Sequence, residues 1–218
     1  AGKKGAAVMA EWFKSKKIKP QLVLDEGGEI NTENFKELKR PIALLGLGEK
    51  GYASFELSVE EKGGHSSMPA NETAIDILSN ALVNLRKEQM PVKICKPVQQ
   101  LFDSLGPAFS FQQKLALSNQ WLLQSVITNE LSKNKRTNAL IRTTIVPTIL
   151  ESGVKDNVIP TKAKAIVNCR IIPGETSSMV KEFILKQIND PRIQIKLDSS
   201  SLIEPTKITD ANCAAFAK

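Results

Sequence analysis

His65, Asn157, Arg170 and the pair Asp25-Glu26 are the side chains whose types and settings could carry chemistry in this sequence. His65 lies in Gly63-Gly64-His65-Ser66-Ser67-Met68-Pro69, where glycines and a proline enforce a tight exposed loop. An imidazole there reads either as a surface or capping residue, or as a functional group held out by a scaffold. Ser66 and Ser67 do not make it a serine–histidine dyad, because loop neighbours rarely meet in that geometry and no strained nucleophile elbow is present. Asp25-Glu26 end a short apolar run and precede Gly27-Gly28, the setting in which open α/β sheets place their ligands. They are a solvated or helix-capping pair on one reading, and hard oxygen ligands for Zn, Mn or Co on the other. Asn157, in Asp156-Asn157-Val158-Ile159-Pro160, reads as a turn residue. Arg170, in Asn168-Cys169-Arg170-Ile171-Ile172-Pro173, reads as a strand-surface residue. A guanidinium fork on the wet face of a sheet is also the best side chain for clamping a carboxylate. The chain has a single histidine, so a metal centre built on two or three histidines is not completed by it alone.

Periodicity supplies the elements that must hold these groups. Residues 5–16 place Val8 and Met9 one turn before Trp12 and Phe13, a helical stripe. The run at 21–24 is too brief for a helix and apolar enough for a strand buried on both faces. From Tyr52 the period becomes two: Phe55, Leu57 and Val59 alternate with Ser54, Glu56, Ser58 and Glu60. Ile75, Leu78, Leu82 and Leu85 then mark an amphipathic helix over 71–87, with Asn71 or Thr73 as its cap. Strands are expected at 140–150 and 161–172, a helix at 177–189, a strand at 193–197 and the start of a helix at 210–218. The order strand, helix, strand, strand, helix, strand is that of the split βαβ or ferredoxin-like motif, an antiparallel sheet with two helices on one face. Between its first helix and second strand, the insertion at 96–138 is too long to be structureless and reads as two or three short helices.

Composition narrows the classes. With 218 residues, 41% apolar and 24% charged, the chain is neither disordered, collagenous nor a coiled coil. No run approaches the roughly 18 apolar residues of a spanning helix. Cys95, Cys169 and Cys213 are far apart, without the close pairing of a zinc knuckle or redox motif, and read as free thiols. The net charge of +7 would suit nucleic acid, but the cations are scattered along the chain. A βαββαβ module that binds RNA should carry aromatics on its wet face, where Ser54, Glu56, Lys162 and Lys164 stand instead. Gly46 to Gly51 has dinucleotide-fingerprint spacing, yet a strand follows it rather than a helix, so it reads as a hinge between domains.

Taken together, Asp25-Glu26-Gly27-Gly28, Glu49-Lys50-Gly51, Gly64-His65-Ser66-Ser67-Met68-Pro69, Thr143-Thr144, Asp156-Asn157-Val158-Ile159-Pro160 and Asn168-Cys169-Arg170-Ile171-Ile172-Pro173-Gly174 resemble the aminoacylase and carboxypeptidase family of dinuclear zinc hydrolases. Their order and spacing agree across nearly the whole chain. The insertion and the Asp-Glu-Gly-Gly form look most like its carboxypeptidase S branch. The resemblance implies an α+β chain: a ferredoxin-like lid at about 49–202, inserted in an α/β catalytic domain of which 1–48 and 203–218 are parts. It implies that Glu26 matches a carboxylate ligand of one of two zinc ions, with Asp25 beside it. His65 matches a lid histidine that reaches across a homodimer to stabilise the tetrahedral oxyanion. Asn157 matches a lid asparagine beside the substrate, and Arg170 the arginine that binds the substrate's free carboxylate. The implied substrates are small peptides or N-acyl amino acids. The family's His-x-Asp motif, bridging Asp, paired Glu and late His have no match, so the chain reads as a fragment, inactive on its own. A non-catalytic homologue kept as a dimerisation scaffold is the alternative within the same family. Cellular compartment is left open.

Overall fold

The computed structural model describes residues 2, 4–20, 23, 30–31, 41–43, 45–106 and 109–208. Asp25, Glu26, Cys213, the strand expected at 21–24 (Val23 apart) and the helix expected at 210–218 lie outside the described residues. The chain divides into two compact units, Ala1–Leu45 and Gly46–Lys218. In the first, α1 (Ala6–Ser15) forms where the apolar stripe indicated, and Trp12 and Phe13 meet with ring centroids 5.4 Å apart. Two short strands of this unit, β1 (Ile30–Asn31) and β2 (Ile42–Ala43), pair antiparallel.

The second unit grows from β3 (Gly51–Glu60), whose strict alternation buries Ala53, Phe55, Leu57 and Val59. After the two-residue β4 (Gly64–His65), α2 (Ala74–Lys87) starts at a capping box. Thr73 accepts from the Asp76 amide while the Asp76 carboxylate accepts from the Thr73 amide at 2.8 Å, so the helix begins after Thr73 rather than at 71. The insertion holds α3 (Lys96–Leu105), α4 (Phe111–Ser118), α5 (Gln120–Lys133) and α6 (Lys135–Leu140). Four helices therefore stand where two or three were expected. The last displaces the following strand, because the Asn134 side chain caps it and the chain stays helical to Leu140. β5 (Thr144–Ser152) consequently starts later than residue 140. β6 (Val158–Ile159), β7 (Lys162–Ile171), α7 (Ser177–Ile188) and β8 (Gln194–Leu197) complete the unit.

The four long strands pair in the order β5-β7-β3-β8, each neighbour antiparallel, so the fold is a mixed α+β one. The register sets Phe55 opposite Val167 and Tyr52 opposite Arg170. Odd-numbered residues of β3 and β7 join Ile77, Leu78 and Leu85 of α2 and Val180 and Ile184 of α7 in one apolar cluster. Even-numbered residues take the other face, with Tyr52, Ser54, Ile166 and Asn168 half-buried there. Cys169 points into the cluster at 0% exposure, and burial pushes its thiol up to about 12. A thiol-reactive probe is therefore expected to label half-buried Cys95 in the native protein and Cys169 only with unfolding. Peptide mass spectrometry distinguishes the two, and native labelling of Cys169 would contradict this packing.

Candidate functional site

His65 is held by a two-strand ladder in which Gly64 pairs with Ile159 and His65 with Val158. Gly63 is required there: a Cβ at that position would stand 2.8 Å from the Ile159 carbonyl oxygen and 2.8 Å from Thr161 Cγ2. The exposed ring has a fixed polarity. His65 Nδ1 accepts from the Ser67 amide at 3.2 Å and lies 2.8 Å from Ser67 Oγ. In the neutral imidazole the proton then belongs on Nε2, leaving a donor on the ring's far side. Asn157 joins the same corner, since its carbonyl accepts from the Ser66 amide at 3.2 Å. Asn157 Oδ1 is buried with no hydrogen-bond partner among the described residues. The structure thus brings His65 and Asn157 together, which their distance in sequence concealed.

Arg170 stands at the opposite end of β7. Its guanidinium carbon lies 4.7 Å from the centroid of the Tyr52 ring, a cation–π contact that supports the fork from below. Tyr52 is itself pinned by a backbone exchange with Ile203, at 2.7 and 2.8 Å. Lys50 sits at the same end and donates to the carbonyls of Ala139 and Arg142, each at 2.9 Å. Burial and then the neighbouring Arg170 cation push the Lys50 ammonium down to about 8, partly opposed by Glu175 and Cys95. Beneath this corner, buried Thr143 donates to Glu175 Oε2 at 2.5 Å and accepts from the Ile172 amide at 3.0 Å. Lys50, Tyr52, Thr143 and Glu175 are supporting residues that sequence reasoning did not assign. Their shared signal, polar side chains flanking the strand that carries Arg170, becomes visible only in the register.

The distance between the two corners matters most. Val158, the partner of His65, precedes the first residue of β7, and Arg170 lies eight positions after Lys162. At a rise of about 3.3–3.4 Å per residue, the stretch of β7 from Lys162 to Arg170 alone spans roughly 27 Å. One copy of this unit does not bring His65 and Arg170 onto one small substrate. Glu26 lies outside the described residues, and among those residues no cluster of three or more His, Cys, Asp or Glu could hold a metal.

A peptidase dimerisation domain model, of the M20 type, matches residues 47–195. The chain is 36% identical over 201 residues to the N-fatty-acyl-amino acid synthase/hydrolase PM20D1 of Xenopus tropicalis, covering 92% of this chain and 39% of that protein. It is 36% identical over 217 residues to the probable carboxypeptidase S-like 2 of Dictyostelium discoideum, covering 99% of this chain and 41% of that protein. It therefore spans about two fifths of these relatives' length. Among solved structures, the M20 family metallo-carboxypeptidase Sso-CP2 from Sulfolobus solfataricus superposes with a TM-score of 0.52 at 16% identity, covering 92% of this chain and 47% of that one. This likeness speaks for the fold. With the family model spanning most of the sequence, the chain belongs to the M20 peptidase dimerisation-domain family.

Proposed function

We propose that this chain is the lid and dimerisation part, with portions of the catalytic domain, of a metal-dependent amidohydrolase that cleaves small peptides or N-acyl amino acids bearing a free carboxylate. The relatives' names, an N-fatty-acyl-amino acid synthase/hydrolase and a probable carboxypeptidase S-like protein, fit that substrate class. In this reading residues 1–48 and 203–218 belong to the catalytic domain and 49–202 form a ferredoxin-like lid. The sheet order, with the first long strand between the third and fourth, supports that lid. Zinc, two ions per site with manganese or cobalt as alternatives, would supply Lewis-acid polarisation of the scissile carbonyl and an activated water. One histidine and Glu26 do not complete such a set, so the remaining ligands are assigned to the rest of a longer protein.

The separation between His65 and Arg170 carries the proposal. The carboxylate and amide carbonyl carbons of an N-acyl amino acid lie within about 5 Å of one another, while the two lid corners are several times farther apart. A two-fold dimer resolves this by letting each site take Arg170 from one copy and His65 with Asn157 from the other. Arg170 then holds the carboxylate in its fork, and His65 Nε2–H donates to the oxyanion as it forms. The buried Asn157 oxygen gains a donor from the substrate amide or the second copy. In the full-length protein supplied with zinc, Arg170→Ala is expected to raise KM for an N-acyl amino acid about 10- to 100-fold with a smaller change in kcat. An unchanged KM would remove the clamp. The 218-residue chain alone is expected to show no turnover with added zinc, and hydrolysis by it would refute the division of labour.

A further inference from the structure

Lys50 immediately precedes β3 and stands two positions before Tyr52, so strand parity gives it the face that Tyr52 and Arg170 share. With Tyr52 opposite Arg170, Lys50 is the diagonal neighbour of Arg170, about 7–8 Å away at the backbone. The chain is held on both sides of it: Tyr52 exchanges hydrogen bonds with Ile203, and the Thr206 amide donates to the Glu49 carbonyl at 3.1 Å. The half-buried side chain ends at the open end of α6, where Nζ donates to the carbonyls of Ala139 and Arg142. Carbonyls at a helix C-terminus lack partners within the helix, and a cation there also meets the negative end of the helix dipole.

Capping alone does not call for a charge. A neutral side-chain amide has two N–H donors and could serve two carbonyls without placing a second cation beside a guanidinium. Here the like charges repel, and burial, then Arg170, hold the Lys50 ammonium down to about 8. No carboxylate among the described residues forms an ion pair with either cation. The other charged or titratable groups around Lys50 do not cancel this. The Glu175 carboxyl is engaged by Thr143, and the Arg142 guanidinium turns to the Met90 carbonyl at 3.1 Å and Ser132 Oγ at 3.2 Å. Cys95 stands just ahead of α3, and Tyr52 lies under Arg170. Two like charges without a counter-ion are relieved by a bound anion. We infer that Lys50 is a positioning residue for the substrate's carboxylate, its charge fixed by the end of α6 so that it deepens the positive potential at Arg170. The inference rests on the proposed clamp at Arg170. It carries a pH signature: the Lys50 charge is present below about pH 8 and lost above it, so carboxylate binding weakens as pH rises through that value.

The test is KM of the full-length zinc-supplied protein for an N-acyl amino acid from about pH 6.5 to about pH 9.5. Dividing each variant's KM by that of wild type at the same pH cancels the ionisations both share. Lys50→Met, neutral and of similar length, is expected to raise KM about 3- to 10-fold near pH 7, with the ratio falling towards one near pH 9.5, where wild type has also lost the charge. Lys50→Arg keeps the charge, so its ratio should start near one and fall as pH rises. A structural loss alone would raise KM by one factor at every pH. Thermal melts establish that each variant is folded, and Lys50→Arg serves if Lys50→Met is not. Cys95→Ser should give a ratio near one throughout, and loss of the wild-type transition in it would assign the titration to the thiol and overturn the role of Lys50. A flat ratio for Lys50→Met or for Lys50→Arg would overturn it too. Arg170→Ala separates the two ideas: unchanged KM in that variant means that the clamp has failed, whereas raised KM with flat Lys50 ratios removes Lys50 alone.

Discussion

At substrate concentrations well below KM, heterodimers that pair a His65→Ala subunit with an Arg170→Ala subunit are expected to recover about half of wild-type kcat/KM, although each variant alone falls about tenfold or more below it. The reason is geometric. Replacing His65 removes a preorganised donor from the oxyanion, a loss of about 10²–10³ in kcat. If Arg170 and His65 of one site come from different copies, each parental homodimer has two damaged sites. The mixed dimer has one site with both groups intact and one with neither. Co-expression with two affinity tags and sequential purification isolates that species. Activity no higher than the average of the parents would sink the exchange between copies and leave the roughly 27 Å between Lys162 and Arg170 without a functional meaning.

The second large effect is on stability. Thr143→Val keeps the shape of a side chain that is 1% exposed but removes its hydroxyl. That hydroxyl serves two buried groups at once, the Glu175 carboxyl and the Ile172 amide. Stranding both is expected to lower unfolding free energy by about 2–4 kcal/mol, read from denaturant midpoints at an unchanged slope. Because Ile172 and Glu175 follow β7 and lead into α7, the same substitution should loosen the Arg170 end of the sheet before the His65 corner. Hydrogen exchange resolved by region checks that order, and uniform loss of protection would contradict it.

Much of this architecture is legible in the residues because alternation is a local signal. Phe55, Leu57 and Val59, and Ala163 to Ile171, announce their buried face without knowledge of any partner strand. Caps are local too, and Thr73 and Thr176 sit where helix starts require them. Long-range pairings are different. Nothing in Lys50 indicates that it will seat on the carbonyls at the end of α6, and nothing in Thr143 that its acceptor is Glu175, because those contacts exist only once the sheet is assembled. The same holds for the candidate site. His65, Asn157 and Arg170 stand out by residue type and motif, yet their division into two distant corners depends on strand register. The β5 boundary was misplaced because Leu140 and Ile141 are apolar on either reading, and the cap at Asn134 decides for helix.

The ladder between β3 and β7 also dictates where this protein tolerates changes of length. Deleting a single residue between Lys162 and Arg170 would turn the guanidinium off Tyr52 and into the packed side of the sheet, while sending cluster residues out to water. Over the helices between Lys96 and Leu140 no such parity exists, so a change of length there leaves the face that each β7 residue occupies unaltered. Homologous genes should therefore accumulate insertions and deletions in the helical segment while conserving, to the residue, the count from His65's neighbour Val158 to Arg170.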